Sequence, residues 1–493
     1  MHAIDWAVIA AYLAGITWFG SRFGKSQRSL RDYFLGGNTA PWWAIALSIV
    51  SAETSTLTVI GTPALSFAGN FGFLQLVLGY LLARIVISTI FLPLYFRGQI
   101  FTAYELMRRR FGERIRRLTA ATFLILRALA EGVRVFALSI ILSIVLGPVY
   151  SRLGLAAAGE IASILAIVCL TLFYTFEGGL TAVIWTDVVQ MALYVVGAAV
   201  SLVVIGGQIP GGWNHAIHAA SEAGKFQVFD FRFAWTVQYF SRSYSFWGGV
   251  IGGCFLTTAS HGTEQLMVQR LLAARNQRDS RLALFSSWLV ILLQFSLFLL
   301  IGALLFIYYR ETGLHPPQPA DRIYPQFVWN HLPPGVAGLV IAAILAAGMS
   351  NLSAALNALA STTVMDFIKP LSAKTGGDAR FLSMARWVTV AWGGILASVG
   401  LVARHWGSVL EAGLSIASVL YGGLLGVFLL GTLTRRVGEL AAMLGMAAGL
   451  VSVVCLKLFT PVAFTWYVVF GTSATFATGL AASLFLKEEP RHG

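Results

Sequence analysis

The sequence predicts an all-α membrane protein of about thirteen transmembrane helices, and three observations predict it. Hydrophobic residues make up 57% of the 493 residues and charged ones only 11%, where a soluble domain carries about 25% charged residues. The apolar residues come in runs long enough for helices to cross a hydrocarbon core of ~30 Å, which takes about 20 residues each. The basic residues fall between those runs, and mostly between alternate pairs of them.

The spans read in order are 4–21, 41–67, 71–96, 117–147, 156–176, 180–206, 245–263, 282–309, 332–365, 381–403, 408–432, 437–458 and 463–486. The apolar segment of the first, Trp6 to Gly20, follows Asp5 rather than a basic region and has basic residues after it. That pattern suits a spanning helix with its N-terminus outside rather than a cleaved signal peptide. With the N-terminus outside, the inner loops and the C-terminal tail carry 22 Lys and Arg, against 7 in the outer loops. The bias predicts a multi-pass cell-membrane protein with its C-terminus in the cytoplasm. It also explains the net charge of +13 as basic loops facing anionic membrane lipids rather than a nucleic-acid surface. Cys169, Cys254 and Cys455 all sit in apolar runs, without a disulfide framework or metal spacing. His261 has no evident catalytic partner, so an enzyme is not expected.

The second span carries a polar island, Ser51-Ala52-Glu53-Thr54-Ser55-Thr56-Leu57-Thr58. A carboxylate at mid-membrane costs roughly 2.5–3.5 kcal/mol on insertion scales, so Glu53 is not expected to face lipid. The island predicts a helix that opens there and lines a site with its freed carbonyls. The seventh span has Gly248-Gly249 and Gly252-Gly253 followed by Thr257-Thr258-Ala259-Ser260-His261, and a second interruption is expected in it. Interruptions at corresponding places suggest an inverted repeat. The division expected is 1–31 (first helix and inner loop), 32–206 (first five-helix repeat), 207–244 (outer loop), 245–434 (second repeat) and 435–493 (two extra helices and a short tail).

In the ninth span, Ser350, Ser353 and Asn357 share one helix face. Hydroxyls and freed carbonyls there would suit a hard monovalent cation, or the face could serve close helix packing. Asp187 in the sixth span is either a functional carboxylate or an interfacial residue. Arg127, Glu131 and Arg134 share one face of the fourth span. Two guanidiniums with one carboxylate leave a positive surplus that could hold a substrate carboxylate, unless an internal ion-pair network absorbs it.

Four stretches, taken together and in order over about residues 31 to 436, resemble the sodium:solute symporter family. They are Asp32-Tyr33-Phe34-Leu35-Gly36-Gly37 with Pro41-Trp42-Trp43; Gly178-Gly179 through Trp185-Thr186-Asp187 and Gln190; Thr263-Glu264-Gln265 with Val268-Gln269-Arg270; and Ser350-Asn351-Leu352-Ser353 with Asn357 and Met365-Asp366. The resemblance implies a LeuT-like fold of 5+5 inverted repeats whose first and sixth core helices are broken. It implies sodium as coupling ion, no organic cofactor, and a small-molecule solute moved by alternating access. By position, sodium would take backbone oxygens of Ser51, Thr54 and Ala347 and side-chain oxygens of Ser350 and Asn351, where the family usually has Ser or Thr in place of Asn351. A second cation site would involve Asp187 and Ser353, but Ala354 lacks the hydroxyl of that site, so one sodium is expected. Glu53, Thr56, Leu57, Thr58, Gln75, Arg134, Thr258 and His261 would face the solute. Gly61-Thr62-Pro63 looks like the monocarboxylate and multivitamin branch and, with Arg134, favours an organic anion such as a carboxylate or sialic acid. A sugar symporter, or a proton-coupled one using Glu53 or Asp187, remains the alternative. Oligomeric state is left open.

Overall fold

The polar island breaks its helix where the hydroxyls and the carboxylate cluster. In a computed structural model, which describes residues 3–24, 39–97, 103–155, 158–174, 180–368 and 378–486, α1 (Ala3–Gly24) is followed by α2 (Trp42–Glu53) and α3 (Thr56–Ala68). These two are bent by 63°. Thr54 leaves the helical region with ψ at 72°, and the Ser55 amide turns back to Glu53 O at 3.0 Å. The Ser51 carbonyl therefore loses its usual donor four residues on.

The remaining elements are α4 (Phe71–Arg97), α5 (Ala103–Arg110), α6 (Glu113–Arg152), α7 (Gly159–Tyr174), α8 (Leu180–Gln208), α9 (Gly212–Glu222), α10 (Phe246–Gly262), α11 (Gln265–Leu272), α12 (Gln277–Thr312), α13 (Ile323–His331), α14 (Val336–Thr362), α15 (Asp378–Ala403), α16 (Val409–Leu433), α17 (Glu439–Phe459) and α18 (Tyr467–Phe485). Among the described residues, eight helices are long and apolar enough to cross a membrane, nine with the bent pair taken as one span. Each of the thirteen apolar segments coincides with helix in this order, although α1, α7, α10 and α15 fall short of that criterion.

The second interruption is displaced from where the glycines suggest. Residues 246–262 form one uninterrupted helix, and the break comes at Thr263-Glu264, before α11. The glycines serve close packing instead. A Cβ on Gly253 would sit 2.3 Å from Leu76 O, and one on Gly79 would sit 2.3 Å from Val250 O. Small residues on both helices let α10 lie against α4 with backbones nearly touching.

Loop contacts sort the helix ends into two faces. On one, Arg110 donates to Thr434 O and Val437 O, Glu439 accepts from Arg114 N and Ile115 N, and Arg275 donates to Thr39 O. On the other, Lys225 donates to three carbonyls at the end of α3, Arg322 and Arg404 pair with Glu160, and Asp5 accepts from Gly335 N and Gly338 N at the start of α14.

Candidate functional site

The two breaks face a shared cavity of about 200 Å3. Ala52, Glu53, Ser55, Leu57 and Thr58 line it from the first break, and Ser260, His261 and Glu264 line it around the second. Ser350, Asn351 and Ala354 come from α14, and Arg127 and Arg134 from α6. Glu264 of the third stretch and Ser350-Asn351 of the fourth therefore meet at one place, with Val183 from the second. Asp32 to Gly37, Gly178-Gly179 and the side chains of Asn357, Met365 and Asp366 lie outside the described residues.

Glu53 does not face lipid. Its Oε2 lies 3.2 Å from Arg84 Nη2 and 3.1 Å from His261 Nε2. Arg84 is fully buried and also donates to Leu284 O and Tyr80 O. His261 Nδ1 is 2.8 Å from Ser260 Oγ. This cluster ties the break in the first core helix to α4, α10 and α12. Thr54 adds another tie, donating to Gln294 Oε1 at 2.7 Å.

Asp187, 2% exposed, accepts from Ser48 at 2.6 Å and from Ser51 at 3.3 Å. Arg270 of α11 donates to it at 3.3 Å and to Ser48 Oγ at 3.0 Å. The carboxylate is thus buried among helices and paired with a guanidinium. Ser353 is half-buried on α14.

The positive surplus expected on α6 is balanced from another helix. Glu131 accepts from Arg127 at 3.0 Å and from Arg134 at 2.6 Å. Glu264, at the second break, also pairs with Arg127 and accepts from the Tyr421 hydroxyl. Two carboxylates match two guanidiniums. Among the described residues, the buried Nε atoms of Arg134 and Arg127 have no hydrogen-bond partner.

The other expected residues fall into two groups. Ser350 and Asn351 are half-buried and line the cavity. Thr58 also lines it, 3.4 Å from Glu53 O. Ser51, Thr54 and Ala347 are buried beside it, and so are Thr56 and Thr258. Gln75 is committed elsewhere: its amide donates to Gly72 O and Tyr244 O and accepts from Asp230 N, pinning an interhelical loop. Arg84, Gln294 and Tyr421 are site residues that the sequence reading overlooked. For Arg84 the signal was present, because a lone arginine inside an apolar span demands a buried acid.

A model of the sodium:solute symporter family matches residues 33–449. The chain belongs to the sodium:solute symporter family. Among its relatives, the sodium/sialic acid symporter NanT of Aliivibrio fischeri is 28% identical, over 98% of this chain and 93% of that protein. Mouse sodium-coupled monocarboxylate transporter 1 is 29% identical, over 90% of this chain and 71% of that protein. A solved structure of a Na+-coupled sialic acid symporter, substrate-bound and outward-open, superposes with a TM-score of 0.82 at 25% identity, covering 98% of both chains. The nucleobase-cation symporter Mhp1 shares the fold at a TM-score of 0.52. The symporter therefore has the inverted-repeat transporter fold, is a multi-pass membrane protein, and couples solute movement to sodium.

Proposed function

We propose that this symporter imports a small organic anion, a sialic acid or another carboxylate, together with sodium. One observation carries the choice of anion: the Arg134 guanidinium, bridged to Glu131 at 2.6 Å, lines the cavity. A carboxylate there would gain a charge-assisted hydrogen bond. The sialic acid and monocarboxylate relatives support the same class of solute.

Sodium is assigned to the backbone oxygens of Ser51, Thr54 and Ala347 and the side chains of Ser350 and Asn351. The freed Ser51 carbonyl supports this assignment. Arg270 takes the place beside Asp187 that a second transported cation would need, so Asp187 and Ser353 are left as a structural pair of positions and one coupling sodium is assigned. The solute would contact Glu53, Thr58, Arg134 and His261; Thr56 and Thr258 support that wall from behind, and Gln75 holds the loop. Sodium would hold the broken α2–α3 segment against α14, and the repeat core, 32–206 with 245–434, would then rock to release both ligands inside. The ion drives this only if it binds one state better than the other. Thirteen spans, with the N-terminus outside and the C-terminus in the cytoplasm, complete the topology.

The charge balance has a measurable consequence. One sodium crossing 100 mV releases about 2.3 kcal/mol, and a tenfold sodium gradient adds roughly 1.4 kcal/mol. A neutral solute could then be concentrated about 400-fold by one ion. A monoanion cancels the sodium charge, so only the chemical gradient remains, worth about tenfold. Uptake of a labelled carboxylate panel into proteoliposomes, with Arg134→Ala beside wild type, tests the reading. We expect sodium-driven uptake that Arg134→Ala reduces at least tenfold; undiminished carboxylate uptake in that variant would remove Arg134 as the carboxylate's partner, and no sodium-driven uptake of any carboxylate by wild type would remove the anion assignment.

A further inference from the structure

A second cavity, of about 480 Å3, lies between the end of α3, the turn Ala320–Arg322 and the start of α16. Two carboxylates line it, Asp321 and Glu411. Asp321 is 3% exposed. Its Oδ2 accepts from Val409 N at 3.0 Å and caps α16. Among the described residues, its Oδ1 is buried without a hydrogen-bond partner, as is the Oγ of Ser408, which lines the same cavity. Glu411 accepts from the Tyr244 hydroxyl at 2.8 Å.

Among the described residues, no Lys or Arg pairs with either carboxylate. The nearby cations are committed: Arg322 and Arg404 to Glu160, and Lys225 to the carbonyls of Phe67 and Gly69. A buried carboxylate without a counter-ion, as at Asp321, is costly unless paired or bound to a cation; Glu411 beside it is half-buried. A proton does not meet the need at neutral pH. Burial pushes the Asp321 carboxyl up to about 6, with Glu411 adding to the rise and the Val409 amide opposing it. The group therefore stays mostly ionised at pH 7.

We propose that this cavity is a cation-binding site separate from the coupling site, in which Asp321, Glu411 and Ser408 hold a hard cation, sodium from the external medium, before it enters the broken helix. The external placement rests on the topology proposed above. Carboxylate and hydroxyl oxygens suit sodium and calcium alike, so the test must separate them. The site raises the local supply of sodium to the coupling site.

Sodium-22 binding to the purified full-length protein in detergent decides the matter. Wild type should show two binding classes at pH 7.5. Asp321→Asn keeps an acceptor for Val409 N, and Glu411→Gln leaves that cap untouched. Each should weaken one class at least tenfold and raise the sodium needed for half-maximal uptake three- to tenfold, with maximal uptake unchanged. The same class should weaken as pH falls through about 6, where Asp321 takes up a proton. Unchanged binding in both variants, each melting like wild type, would overturn the proposal. Micromolar calcium occupying this class to the exclusion of sodium would overturn the sodium assignment. Loss of the class in Asp321→Asn while Ser350→Ala alters nothing would sink the coupling-site reading and still support this one.

Discussion

Replacing Arg270 by Met isolates what the guanidinium does beside Asp187. The pair is 3.3 Å apart, and both side chains are at most 5% exposed. At an effective dielectric of ~20, two unit charges at that distance attract by about 5 kcal/mol. Removing one partner of a buried pair costs about 3–5 kcal/mol in measured cases, because the other charge is left uncompensated. Arg270→Met should therefore destabilise the protein by about 3–5 kcal/mol. Asp187→Asn in the same chain removes the orphaned charge, and the double variant should regain most of the loss. A second signature separates charge compensation from packing. With Arg270 gone, Asp187, Ser48 and Ser51 present a carboxylate and two hydroxyls to any small cation. Sodium should then raise the melting temperature of Arg270→Met more than that of wild type, following the usual mass-action linkage. Melting of the purified protein in detergent, in sodium and in choline chloride, reads both effects. A double variant no more stable than Arg270→Met alone, with no added sodium response, would refute the argument.

Other expectations follow from the same geometry. Ser350→Ala should raise the sodium concentration for half-maximal uptake at least tenfold, equivalent to about 1.4 kcal/mol, with solute affinity at saturating sodium little changed; a sodium titration of uptake checks it. Glu53→Gln strands the fully buried Arg84 and should abolish uptake while costing about 3–5 kcal/mol of stability, measured by transport and melting together. Lys225→Met removes an ammonium that donates to Ser66, Phe67 and Gly69 carbonyls and sits 3.8 Å from the Phe306 ring centre. It should cost about 1–3 kcal/mol, and hydrogen exchange should rise at the end of α3.

The first broken helix was legible because hydroxyls and a carboxylate at mid-span admit few other structures. The second was misplaced. Glycine pairs weaken a helix, but they also let helices touch, and sequence alone does not say which role they take. Here packing of Gly253 on Leu76 O won, and the chain broke instead at Thr263-Glu264, inside a motif visible from the start. The charge networks were legible only on one helix at a time. Spacing gave the Arg127–Glu131–Arg134 face, yet Glu264 comes from 130 residues or more away in the chain, and its arrival removed the surplus. In the same way, Asp187 stayed open between a functional carboxylate and an interfacial residue because its partner Arg270 stands 83 residues distant. Gln75 misled for a different reason: a polar residue at a span's start fits a solute site or a loop anchor equally, and the Tyr244 and Asp230 backbone claimed it.

The most direct test of the account is uptake of labelled sialic acid and small carboxylates into proteoliposomes, with an inward sodium gradient and with the membrane potential set independently by a potassium gradient and valinomycin. Sodium should drive accumulation of a carboxylate, indifferent to membrane potential, because one sodium travels with one anion. Accumulation that responds to a proton gradient and not to sodium, or that takes neutral sugars and ignores carboxylates, would contradict it.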